Sequence, residues 1–173
     1  LDNVRNVGLK IGVSMQNCDL VKYFKDLNCD YYYEYDSAYG TIDFKGKNMV
    51  MVGADCGSST LYFLLHGARF VIMYEKSDEL RKKWLEVCNK FNICDKAVMN
   101  GEWKSQYDNA DIFIIDCEGC EENINFDELK KYKLSCVAVH EWTNNRIKLL
   151  EKMKMWKLYY VSLDGKEIML CNS

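Results

Sequence analysis

From Asn48 onward, short apolar runs with β-prone composition recur between segments whose apolar residues follow a helical spacing. The runs are Val50–Val52, Phe70–Tyr74, Ala97–Met99, Ile112–Ile115 and Cys136–Val139. Thr60–Leu65 reads as a helix between the first two. A second helix follows Ser77 and Asp78, which can cap it, and Leu80, Trp84, Leu85, Cys88 and Phe91 share one of its faces. Ile147, Leu150, Met153 and Trp156 mark a last amphipathic helix, after which KLYYVSLDGKEIML reads as two strands around an Asp164-Gly165 turn. This order predicts an α/β fold: a mostly parallel sheet with helices on both faces and an antiparallel C-terminal hairpin. Ahead of it, Leu20, Val21, Phe24 and Leu27 predict a short helix, and DYYYEYDSAYGTIDF a tyrosine-rich hairpin. Residues 1–47 therefore read as a cap on a core of residues 48–173, the two forming one compact domain.

Composition narrows the reading. A chain of 173 residues, 49% hydrophobic, can bury one sizeable core. Its net charge of -3 supplies no basic field, which makes nucleic acid a poor partner and a small molecule a better one. No apolar run approaches the roughly 18 residues of a membrane span. Nine cysteines at irregular spacing in a chain too large for a disulfide scaffold predict reduced thiols and a cytoplasmic protein. Proline is absent, so Gly, Asn, Asp and Ser must mark the turns.

One stretch carries chemistry. In VMVGADCGSSTLYFLLHGARFVIMYEKS, a strand ends at Gly53 and a helix begins near Ser59. This places a glycine-containing turn over a helix N-terminus, where free N–H groups favour a polar ligand. Gly53 permits an unusual backbone angle, and Gly57 lets a ligand approach the main chain. Glu75 follows Gly53 by 22 positions, close to the offset of about 20 at which an acid accepts from ribose hydroxyls. A tight turn needing glycine only for packing is the plainer alternative. The third glycine of a G-x-G-x-x-G dinucleotide turn is missing, which disfavours NAD.

These residues resemble the first motif and second strand of the FkbM-like family of class I S-adenosylmethionine-dependent methyltransferases, and IIDCEGCE, Ile114 to Glu121, resembles that family's Asp-x-Glu-Gly-x-Glu signature after the fourth strand. The resemblance spans residues 48 to 171 and implies a Rossmann-like class I methyltransferase fold with a seven-stranded sheet. It implies S-adenosyl-L-methionine as cofactor, with contacts from Gly53, Ala54, Asp55, Gly57, Glu75, Asn100 and Asp116. Where the family has an acid two positions before the first glycine, this chain has Met51; Asp55, where the family tends to have Asn, could supply the missing carboxylate.

The expected activity is O-methylation of a saccharide or other small-molecule hydroxyl. A cofactor-binding domain of the same fold without transfer activity and a nucleotide-dependent oxidoreductase are the alternatives. Candidate catalytic residues are Asp116 and Glu118 after the fourth strand and His140 after the fifth. His140 has a suitable pKa for a base, though a lone histidine is more often structural. His66, before Gly67, reads as a helix C-terminal cap. Cys117 and Cys120 form a C-x-x-C pair that elsewhere means zinc or redox chemistry; here they fill variable positions of the signature, and no metal site is expected. Tyr31, Tyr33, Tyr35 and Tyr39 either line an acceptor pocket or cover the core. Lys148, Lys152, Lys154 and Lys157 read as the solvated side of the last helix. Without proline, the Pro-containing motifs of nucleic-acid amino- and cytosine-methylating enzymes are absent.

Overall fold

The computed structural model describes residues 17–29 and 35–172. In chain order they form α1 (Asn17–Asp26), α2 (Tyr35–Tyr39), β1 (Asn48–Val52), α3 (Ser58–Leu65), β2 (Phe70–Tyr74), α4 (Asp78–Phe91), β3 (Ala97–Asn100), β4 (Ile112–Ile115), a 3-10 turn (Cys120–Asn123), α5 (Phe126–Leu129), β5 (Leu134–His140), α6 (Arg146–Lys152), β6 (Lys157–Val161) and β7 (Glu167–Cys171). The seven strands make one sheet in the order β3-β2-β1-β4-β5-β7-β6. Strands β1 to β5 run parallel, and β7 is antiparallel to both β5 and β6. The expected fold class is observed.

Central strands are apolar on both faces because helices cover both. Met49 and Met51 point into one core with Phe24, Phe63 and Phe91 of α1, α3 and α4. Val50 and Val52 point into the other, with Phe113, Val137, and Leu129 and Leu149 of α5 and α6. The order in which strands join the sheet reverses between β1 and β4, which opens a crevice at the carboxyl ends of these parallel strands. Register makes that edge level: Val52 lies opposite both Tyr74 and Ile115, Tyr74 opposite Asn100, and Ile115 opposite Val137. The residues that follow, Gly53, Glu75 and Asp116, therefore leave the sheet side by side.

Local signals explain most boundaries. Ser77 caps α4 by accepting from the Leu80 N–H at 3.3 Å, and Asn92 ends the helix in the left-handed region at φ 53°. His66 closes α3, its Nδ1 lying 2.8 Å from the Tyr62 carbonyl. Gly165, with φ 72°, turns the terminal hairpin.

Several expectations are corrected. Leu85 is 61% exposed, and Val87 joins Trp84, Cys88 and Phe91 in the buried stripe; Leu85 lies one residue from Trp84, about 100° around the helix. In α6, Ile147 is 74% exposed while Leu149 and Met153 turn inward at i, i+4. Tyr35–Tyr39 is a helix, not part of a hairpin, because Tyr35, Ala38 and Tyr39 at i, i+3, i+4 pack together on one buried face. Tyr31 and Tyr33 lie outside the described residues. The four lysines Lys148, Lys152, Lys154 and Lys157 are exposed, the last on β6.

The cysteines are corrected most. Disulfides join Cys29 to Cys56, Cys88 to Cys94, Cys117 to Cys120, and Cys136 to Cys171, so the thiols expected to be reduced are paired. Cys136 and Cys171 lie directly opposite each other on β5 and β7. Cys29, just after α1, is tied to the turn after β1. Pairing does not assign a compartment, since intracellular proteins of some hyperthermophiles are also rich in disulfides. No helix among the described residues is long and apolar enough to cross a membrane.

The eight paired cysteines should resist iodoacetamide in the native, unreduced protein, and all nine should label after reduction in denaturant. Intact mass counts the adducts; more than one before reduction would contradict the pairing.

Candidate functional site

Between β1 and α3 the chain folds back on the end of β2. The N–H groups of Gly53 and Ala54 both donate to the Tyr74 carbonyl, at 2.9 and 3.1 Å. Gly53 has φ 82°, and a Cβ there would lie 1.7 Å from the Asp116 carbonyl oxygen, so only glycine fits. Gly57 has φ 88°, and its Cβ would lie 2.3 Å from the Trp84 ring. The α4 packing thus demands glycine here.

Glu75 is buried, and each of its two carboxylate oxygens accepts one hydrogen bond from this turn. Oε2 accepts from the Asp55 N–H at 3.0 Å and Oε1 from the Ser77 N–H at 2.8 Å. Asp55 sits at φ 53°, and its Oδ1 accepts from the Cys56 N–H at 2.7 Å.

A second group of polar residues stands across the crevice. The Asp116 N–H donates to the Val52 carbonyl at 2.9 Å, which fixes where its side chain emerges. Its Oδ1 lies 3.4 Å from His140 Nε2, and its Oδ2 accepts from the Tyr39 hydroxyl at 3.5 Å. Glu167, the cross-strand partner of His140, brings Oε2 to 3.7 Å from the same Nε2. On the other side of the ring, Oε1 of fully buried Glu121 lies 3.8 Å from His140 Nδ1. Glu121 accepts from the Gly119 N–H at 2.6 Å and from the Thr143 hydroxyl, which itself accepts from the His140 N–H at 3.1 Å.

This arrangement shifts the titration of Asp116, His140, Glu121 and Tyr39. Burial pushes the Asp116 carboxyl above its ordinary value despite the opposing His140. For His140, burial works against the charged ring, but Glu121, Asp116 and Glu167 outweigh it and raise the pKa. Burial also opposes ionisation of Glu121, yet its neighbours His140 and Thr143 and the backbone donors hold it below the usual carboxylate range. Tyr39, buried beside Asp116, is raised well above 10 and remains a donor.

A cavity of about 570 Å³ lies between the two groups, within the size range of small-molecule sites. Of the residues expected for a cofactor, Gly53, Asp55, Glu75 and Asp116 line it. Ala54, Gly57 and Asn100 do not; Ala54 is buried beneath the turn, and Asn100 contributes its carbonyl to the Glu75 N–H at 3.3 Å. Of the expected catalytic residues, Asp116 and Glu118 line the cavity, whereas His140 stands behind Asp116. Tyr35 and Tyr39 line it too, and His66 does not. Sequence reasoning missed Trp103, Glu121 and Glu167. Trp103 forms part of the wall beyond Glu75. Glu121 stood inside a recognised signature, so a signal existed; Glu167, in a C-terminal strand, had none. Cys117 and Cys120 line the cavity as a disulfide.

The strand order and the crevice define a Rossmann-like class I methyltransferase fold. Solved structures of this kind include Aeropyrum pernix fibrillarin with natively bound S-adenosyl-L-methionine (TM-score 0.55, 14% identity, 78% of this chain and 70% of that one). They also include M. capricolum TrmK with S-adenosyl-homocysteine (TM-score 0.60, 12% identity, 81% and 67%). A protein of the NADB-Rossmann superfamily from Streptococcus agalactiae superposes with a TM-score of 0.63 at 15% identity, over 82% and 68%. At these identities the likeness is one of fold. No family model matches the chain. It is 54% identical over 154 residues to uncharacterized protein 65 of Sulfolobus islandicus filamentous virus (isolate Iceland/Hveragerdi), across 89% of this chain and 98% of that protein. It is 47% identical over 151 residues to uncharacterized protein 158B of Sulfolobus islandicus rod-shaped virus 1, across 86% and 96%. The chain belongs to the family of these viral proteins.

The lowered pKa of Glu121 fixes the sign of a pH effect. A carboxyl whose folded pKa lies below its unfolded value stabilises the fold above the unfolded pKa, and that contribution is lost as pH falls through the folded pKa. Glu121→Gln should therefore destabilise the protein at pH 7 by about 1–3 kcal/mol. The gap from wild type, measured by denaturant unfolding, should narrow in acid below the ordinary glutamate range. A gap that widens there would contradict the assignment.

Proposed function

We propose that this protein is an S-adenosylmethionine-dependent methyltransferase whose acceptor is a hydroxyl of a saccharide or other small molecule. The observation that carries the reading is the placement of Gly53, Glu75 and Asp116 side by side at one sheet edge, around one cavity. The group that fits must be polar at the turn and carry a diol beside an acid, as an adenosyl compound does. Bound there, it would supply a sulfonium methyl for in-line attack by an acceptor oxygen, with S-adenosylhomocysteine as the leaving group.

The chain's own residues then have distinct duties. The turn and the first turn of α3, with Ser58 and Ser59 on the wall, receive the polar end of the cofactor. Glu75 accepts from the ribose hydroxyls with the lone pairs that Asp55 and Ser77 leave free. Trp103 offers an apolar wall to the base. Asp116, raised in pKa, receives the acceptor's proton, and His140 stands behind it to hold its orientation. Glu118, exposed at the cavity mouth, and Tyr35 and Tyr39 face the acceptor. Ala54, Gly57 and Asn100 act by shaping the turn and the β3 end. Affiliation with the FkbM-like enzymes rests on the IIDCEGCE and first-motif resemblances.

Calorimetry with S-adenosylmethionine, S-adenosylhomocysteine and NAD tests the reading. Both adenosyl compounds should bind and NAD should not. Glu75→Gln should weaken binding about 5- to 100-fold, the equivalent of about 1–3 kcal/mol. Response to NAD alone would favour an oxidoreductase. Binding without methyl transfer to any hydroxyl acceptor would favour a non-catalytic cofactor domain, which buried, apolar Met51 on the cavity wall also fits.

Asp55 separates two uses of one carboxylate. It can meet the ammonium of the cofactor's methionine portion, or serve only the turn through the Cys56 N–H. Asp55→Asn keeps the turn bond and removes the charge. The expected result is an unchanged melting temperature without ligand and weaker binding of both adenosyl compounds; unchanged affinity would restrict Asp55 to the turn.

A further inference from the structure

We propose that Asp116, His140 and Glu167 form a divalent-cation site in the wall behind the cavity, contrary to the sequence expectation of no metal. One donor atom from each residue lies within 4.8 Å of the others. His140 Nε2 stands 3.4 Å from Asp116 Oδ1 and 3.7 Å from Glu167 Oε2. Around an octahedral ion with bonds of about 2.1 Å, neighbouring ligand atoms lie about 3.0 Å apart and opposite ones about 4.2 Å. The three atoms need to draw together by only a few tenths of an ångström to hold one ion.

The surroundings of His140 supply a second, independent observation. A metal-ligating histidine directs its other ring nitrogen at a carboxylate, which fixes the tautomer and aims the free lone pair at the metal. Glu121 stands on that side of the ring: it is fully buried, is fastened by Gly119 and Thr143, and holds Oε1 3.8 Å from Nδ1, a buried atom with no hydrogen-bond partner among the described residues, so a small closure would complete the bond. Trp142 stacks on the imidazole with ring centroids 5.0 Å apart. The ring is thus held with Nε2 toward the two carboxylates. Charge points the same way. Among the described residues no lysine or arginine lies within ion-pair distance of Asp116 or Glu121.

One imidazole with two carboxylates suits Mn²⁺ or Zn²⁺ better than Ca²⁺ or a soft monovalent ion. The other cluster of potential ligands, Cys29, Asp55 and Cys56, is closed to metal by the Cys29–Cys56 disulfide. Beside the cavity, the ion would polarise an acceptor hydroxyl and lower its pKa; that use rests on the methyltransferase reading, while the site itself does not.

The 173-residue chain, stripped with chelator, is titrated with MnCl₂ and the free ion followed by electron paramagnetic resonance, and ZnCl₂ is titrated by calorimetry, both without an adenosyl compound. The expected result is one ion per chain. Glu167→Gln and Asp116→Asn, near-isosteric and on partly exposed side chains, should each weaken binding at least about tenfold, as should His140→Ala where it folds. Asp127→Asn, on an exposed helix, should leave binding unchanged. No saturable binding at millimolar Mn²⁺ or Zn²⁺, or binding that survives both carboxamide variants, overturns the site and leaves a protonated His140 as the counter-ion of the cluster. Metal binding without any adenosyl response would uphold the site and sink the methyltransferase reading. Adenosyl binding without metal would do the reverse.

Discussion

At Gly53 the backbone leaving β1 passes so near the backbone leaving β4 that no side chain can stand between them. That approach sets the geometry of everything at the crevice. It presses the turn against the end of β2, where two N–H groups share the Tyr74 carbonyl and a third reaches Glu75. It also fixes Asp116 within reach of β5 and β7. Trp84 applies a matching constraint from α4, filling the space a side chain at Gly57 would need. The two glycines are consequences of packing, and the cavity is the space left between a turn and a strand end that cannot move apart independently.

Carboxylates concentrate on the far side of that cavity, and burying them carries a desolvation cost that hydrogen bonds and opposite charge must offset. Glu121 shows how this is met. Its donors are a backbone N–H from its own loop and a hydroxyl that is itself held by the His140 backbone, so the residues around it form one connected network. Asp116 is less well supplied, with a long contact from Tyr39 and a shared histidine. Polarity there is oriented toward the cavity by a rigid frame, which is the condition for either proton transfer or cation binding. The elements ahead of β1 take part in this frame: α2 lays Tyr35 and Tyr39 along the wall, and Cys29 ties α1 to the turn after β1.

The strands, their order of direction and the helices between them were readable in the chain, because each follows from a local period of two or 3.6 residues. So was the turn, through Gly53 and the distance to Glu75, and so was the terminal hairpin through Asp164-Gly165. Periodicity failed where neighbouring apolar residues competed for one stripe: Leu85 lost to Val87, and Ile147 to Leu149. At Tyr35–Tyr39 the tyrosines suggested a hairpin, but Tyr35, Ala38 and Tyr39 make a buried helical face. In these places burial against a neighbouring element outweighed intrinsic preference.

What the sequence by itself determined is the layered α/β fold and the half of the site built from residues close in the chain, since turn chemistry and helix capping act over a few residues. Only the tertiary structure decided which cysteines meet and which carboxylates surround His140. Cys136 and Cys171, or Asp116 and Glu167, become neighbours through the register of β4, β5 and β7. That register is set by long-range pairing and the packing of two cores, and no local pattern in the chain encodes it.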